Sequence, residues 1–153
     1  MYNENTTAEI INDLIEINND RIEGYTTALE DLKGQEDIDL RSLFEDYIQQ
    51  TRQFNSELAP LVVINGEEPT TGTRNSGKLH RLWLDVKATF SGHDRKSILE
   101  ECERGEDASK KAYEEALKDS PHLPLNVVEI IGSQAEKQKA AHDRIRDLRD
   151  AAG

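Results

Sequence analysis

Glu103 and Glu106 lie in the stretch 99–113, LEECERGEDASKKAY, where the chemistry of this chain is densest. Leu99, Cys102, Glu106, Ser109 and Tyr113 recur there at intervals of three and four, so they share one face of a helix. A carboxylate on the inward stripe of a long helix is either a ligand or a charge with a buried partner, because an ionised group left alone in a core is too costly to keep. Other segments carry polar residues on comparable stripes: Asn18, Thr51, and the pair Gln138 and His142 one helical turn apart. Carboxylate oxygen with imidazole suits iron, manganese or another first-row divalent ion, whereas amides and hydroxyls suit a hydrogen-bonded layer. Two readings follow. Glu103, Glu106 and His142 could form an atypical metal site. Alternatively, Asn18, Thr51, Glu106, Gln138 and His142 form a buried polar layer, in which Glu106 accepts from Gln138, His142, Arg21 or Arg52.

Other chemistry is thin. His80, His93 and His122 fall in separate loops or helix ends without metal-ligand spacing, and Cys102 faces inward with no histidine beside it in sequence. No glycine-rich phosphate loop and no nucleophilic triad is present. A formal charge of −12 over 153 residues argues against binding nucleic acid or an anionic membrane, both of which need basic surface. One cysteine rules out an internal disulfide framework and fits a reducing compartment. No apolar run approaches the roughly 20 residues of a membrane span, and MYNENTTAE lacks the basic and apolar regions of a signal peptide. A soluble, cytoplasmic protein is expected.

The elements that must position these residues are helices, since 33% charged and only 5% aromatic residues suit long amphipathic helices better than a sandwich or barrel. Helix one should start at Thr6, whose T-x-x-E with Glu9 forms a capping box. Its stripe runs through Ile11, Ile15, Asn18, Ile22, Tyr25, Leu29 and Leu32 to a stop at Gly34. Helix two, capped by Asp37 or Asp39, carries Leu40, Phe44, Tyr47, Thr51, Phe54, Leu58 and Leu61, with 61–64 read as helical despite Pro60. The short turn between them implies an antiparallel hairpin. A linker, 65–76, leads to a short helix over about 77–90 with Leu79, Trp83, Val86 and Phe90 on one face. That face packs either on its own bundle or on an oligomer partner. Helix three spans about 94–118. Helix four follows Pro121, with Pro124 in its first turn and Val128, Ile131, Ala135, Gln138, His142, Ile145 and Leu148 as its stripe.

Hairpin, long connection, hairpin is the connectivity of ferritin-like bundles, so the expected architecture is one all-α, four-helix domain over 1–153 with a long crossover carrying a short extra helix between helices two and three. The segments HRLWLDVKATFSGHD (80–94), ECERGEDASKKAYEEAL (101–117), KAAHDRIRDLRD (139–150) and DRIEGYTTAL (20–29) resemble a bacterial family of ferritin-like domains of unknown function. The resemblance implies the bundle and brings no established activity.

A ferritin-like di-iron centre takes a Glu from each of two helices and a Glu-x-x-His from each of the other two. Here helix one has Asn18 on its stripe and helix two has no histidine, while Lys139 stands three residues before His142. Neither Glu-x-x-His is present. The expected function is therefore a non-catalytic structural or protein-interaction module that forms homo-oligomers or binds a protein partner, without a resident cofactor. The alternative is an atypical metal-binding or iron-handling oxidoreductase holding iron or manganese through Glu106 and His142.

Overall fold

A computed structural model describes residues 7–32, 37–70, 94–118 and 120–152. The Thr6 cap, the Gly34 stop, the second half of the 65–76 linker, the Trp83 helix, His80 and His93 lie outside these residues. Four long helices account for nearly everything described, with no strand among them: α1 Thr7–Asp31, α2 Ile38–Ile64, α3 Arg95–Lys118 and α4 Leu125–Ala151. A 3-10 turn, Ser120–His122, joins the last two.

Helix ends follow local chemistry. The Asp94 carboxylate accepts from Ser97 N–H at 2.7 Å and so caps α3. After α2 the chain turns through Gly66 at φ 88°, a left-handed conformation that costs a side-chain-bearing residue about 1 kcal/mol. That turn lets the Gly66 and Glu67 N–H groups reach back to the Val63 and Val62 carbonyls at 3.0 and 3.1 Å. The 61–64 run is helical, and Pro60 sits inside α2. Asp37 occupies the N-cap position of α2 without a side-chain cap bond. Its carboxylate and that of Asp39 instead hold Arg95 at 3.2 and 2.6 Å, tying the start of α3 to the start of α2.

α1 packs against α2 and α3, and α3 against α4, while α2 meets α4 more briefly. Paired residues fix the directions. Asn18 and Arg21 of α1 meet Asn55 and Thr51 of α2, and they also meet Tyr113 and Glu106 of α3. Both neighbours are thus antiparallel to α1 and parallel to each other, as a long crossover requires. Ile11, Leu14, Tyr25, Phe44, Phe54, Leu58, Ile98 and Ile131 are among the fully buried side chains. Each large apolar one contributes roughly 1.5–3 kcal/mol on leaving water. One stripe differs from expectation. On α4 the inward line runs through Val127, Ile131, Gln134 and Gln138, leaving Val128, Ala135 and Leu148 partly buried. Gln134 displaces the apolar Ala135 because its amide has buried partners, described next.

Candidate functional site

Arg21 enters the core from α1 and is wholly buried, as is Glu106 on α3. Its guanidinium grips both oxygens of that carboxylate, Nε to Oε1 at 2.8 Å and Nη2 to Oε2 at 2.9 Å. Nη1 donates to Gln50 Oε1 and to Thr51 Oγ1, each at 3.0 Å. The Thr51 hydroxyl passes its own proton to the Tyr47 carbonyl at 2.6 Å. Two rings lie against the cation, Tyr47 with its centroid at 5.4 Å and Tyr25 at 5.7 Å, an arrangement in which each ring's negative face attracts the charge. Burial alone would lower the pKa of Arg21, but Glu106 outweighs it and holds the guanidinium above its usual value.

Glu106 is therefore a saturated ion, and the layer extends outward from it. Its backbone carbonyl accepts from Gln138 Nε2 at 2.9 Å. One level along, the Tyr113 hydroxyl accepts from Asn18 at 3.2 Å and donates to Gln134 at 2.7 Å. Gln134 Nε2 then reaches the Phe54 carbonyl and Glu57 at 3.1 and 2.8 Å. Burial pushes the hydroxyls of Tyr25 and Tyr113 well up, and burial with Glu106 brings Tyr47 to about 12. The Cys102 thiol is raised by the same two causes, which keeps it an unreactive buried thiol.

This geometry tests the metal recipe directly. Both Glu106 oxygens are taken by a guanidinium, and the facing positions are Asn18, Thr51 and Gln138. Two metal ions need several anionic oxygens in that space, and the carboxylate that faces these positions is already neutralised by Arg21. The mid-bundle residues do not fit a di-iron centre.

His142, although buried, makes no bond to Glu106 and lies at the edge of the layer. Its Nε2 stands 2.6 Å from Asp107 Oδ1 and its Nδ1 3.0 Å from Asp143 Oδ1. Glu103, one turn before Asp107 on α3, joins this edge and pairs with Arg149 Nη1 at 2.6 Å. Among the described residues, Glu103, Asp107 and His142 form the group whose ligand atoms, one from each, all fall within 4.8 Å of one another. Asp107 thus stands where the sequence reading had Glu106. A groove of ≈ 510 Å³, lined in part by Glu103, Asp107, Arg149 and Asp150, opens beside the group.

Sequence reasoning missed Asp107, Gln134, Asn55 and Gln50. Asp107 is exposed and next to the more conspicuous Glu106, but its i, i+4 spacing from Glu103 was a usable signal. Gln134 was hidden by the apolar residue beside it. Arg21, offered as one of several partners for Glu106, is the one that binds it, while Arg52 is exposed.

A family model described as "Domain of unknown function (DUF2383)" matches residues 6–119. No curated protein matches the chain significantly. Among solved structures, the chain is similar to one titled "Crystal structure of ferritin like, diiron-carboxylate proteins from Bacillus anthracis str. Ames", with 18% identity and a TM-score of 0.69. That match covers 96% of this chain and 95% of the other.

Proposed function

The chain belongs to the DUF2383 family and folds as a ferritin-like bundle, and from that premise we propose that it works by association, as a non-catalytic, oligomerising module. The observation that carries this reading is the Arg21–Glu106 pair. It fills mid-bundle space with a fixed cation and leaves the inward carboxylate no free oxygen for redox metal chemistry. A buried polar layer centred on such an ion pair serves register, since helices that slip by one turn would strand a buried guanidinium.

Exposed apolar residues give association a place to start. Val63 and Ile64 end α2 at 60% and 77% exposure, and Leu125 begins α4 at 73%. Because α2 runs parallel to α3 and α4 antiparallel to it, all three lie at the same end of the bundle. A partner there would remove apolar surface from water.

Two measurements test the reading. Light scattering at high concentration should give at least twice the 17.3 kDa of one chain, and a strict monomer removes self-association. Ferrous ion in air should oxidise no faster with the protein than in buffer. Acceleration that disappears in Glu106→Gln would instead establish the oxidoreductase alternative.

A further inference from the structure

Proximity is the lesser part of what sets Glu103, Asp107 and His142 apart. A neutral imidazole carries one N–H, yet both ring nitrogens of His142 face carboxylate oxygens, Asp143 at 3.0 Å and Asp107 at 2.6 Å. One contact is met by the ring's own proton. The other sets a lone pair against an anion unless a second proton or a metal cation stands there. The Asp143 side has the form found behind metal-bound histidines, where a carboxylate takes the remote N–H, fixes the tautomer and raises the basicity of the ligating nitrogen. With Nδ1–H committed to Asp143, Nε2 presents its lone pair toward Asp107 and Glu103.

We propose that Glu103, Asp107 and His142 bind one divalent first-row metal ion, of the zinc, manganese or ferrous class, at the rim between α3 and α4, outside the Arg21–Glu106 layer. The donor set is one imidazole nitrogen and two carboxylate oxygens, which suits these ions and disfavours magnesium and calcium, whose preferred ligands are oxygens alone. The scaffold is rigid: Glu103 and Asp107 are four residues apart on one helix, and His142 projects from the helix packed against it. Metal bonds of about 2.1 Å in a tetrahedral arrangement put ligand atoms roughly 3.4 Å apart. The His142–Asp107 pair must therefore part by about 0.8 Å. Asp107 can move, because its side chain is 56% exposed. Three protein ligands leave a coordination position for water on the side of the groove.

Arg149 is the resident competitor, since its guanidinium already neutralises Glu103. It has somewhere to go. Its Nη2 lies 2.8 Å from Asp150, so releasing Glu103 leaves it paired. Binding exchanges one partly buried guanidinium contact for a metal bond and leaves Arg149 paired with Asp150.

The test is calorimetric titration of chelator-treated full-length protein with zinc, repeated with cobalt for its absorption spectrum. The expected result is one equivalent per chain, weakened at least tenfold by His142→Gln and by Asp107→Asn, and unchanged by Tyr113→Phe, which alters only the core. Asp143→Asn should weaken binding by a further 10–100-fold range typical of the group behind a ligating histidine. Asp107 is exposed and bears little packing whereas His142 is buried, so circular dichroism of each variant checks that the helices remain. No saturable heat or spectrum up to millimolar metal overturns the site, as does binding indifferent to both His142→Gln and Asp107→Asn. Two equivalents lost on Glu106→Gln would place metal in the core, and that outcome alone would also overturn the association reading.

Discussion

Glu106 and Asp107 are neighbours in sequence on one helix and live in different solvents. Glu106 is sealed, its side chain fully buried with both oxygens held by Arg21. Asp107, turned by one residue, is more than half exposed and shares an imidazole with Asp143. The same functional group is thus a structural ion in one position and an available ligand in the next. The difference comes from the partner as much as from burial. Glu106 has a permanent cation that cannot lose its proton, whereas Asp107 faces a histidine whose charge is optional.

The sealed side should give the largest response to mutation. Glu106→Ala leaves a buried guanidinium without its counter-ion and should cost about 3–5 kcal/mol in chemical denaturation. The double variant Arg21→Met, Glu106→Leu should regain most of that loss, because two apolar side chains fill the space without a charge to desolvate. A loss below about 1 kcal/mol for the single variant would mean that water reaches the pair, and the contrast with Asp107 would collapse.

Next in size is the second level of the layer. Tyr113→Phe removes the hydroxyl between Asn18 and Gln134, leaving buried polar atoms unpaired at a cost of about 1–3 kcal/mol. The same region predicts an alkaline limit. Tyr25, Tyr47 and Tyr113 have folded-state pKa values above the ordinary value of about 10. The unfolded chain therefore releases these protons first. Their contribution to stability is complete below about pH 10 and falls as pH rises through 12 and beyond. Absorbance of tyrosinate should appear together with loss of helix, in one cooperative step. Gradual ionisation of these residues in a still-helical protein would show that the layer is open.

How much of this was legible without coordinates follows the same division. The helices, the parallel α2 and α3, and the mid-helix polar residues could be read because stripes at intervals of three and four report burial directly. The partner of Glu106 was harder. Arg21 lies beside Tyr25 on α1, and a flanking arginine reads as solvated until the tilt of α1 against α3 is known. His142 shows the limit of periodicity: it sits on the α4 stripe yet at its margin, and a turn of a few tens of degrees decides whether it meets Glu106 or Asp107. Asp107 could not be assigned from the stripe at all. Its spacing of four from Glu103 points to a shared helix edge, but its role depends on a residue 35 positions away, and exposed acidic residues are too common in this chain for that spacing to single it out.

The smallest expected effect on stability belongs to that residue, and it is the one that sharpens the contrast most. Asp107→Asn keeps the size of the side chain and removes the charge beside His142 Nε2. In a half-exposed pair of this kind the loss should be below about 1 kcal/mol, against several for its neighbour Glu106. The amide can present its oxygen to a protonated ring or its N–H to a neutral one, so the rim remains bonded in either state. What the variant loses is an anionic oxygen. A near-silent denaturation curve with zinc affinity lowered at least tenfold would separate fold from ligand at adjacent residues. A loss of 3 kcal/mol or more, of the size a buried pair gives, would instead make the rim an extension of the sealed layer, with His142 as its outermost structural member.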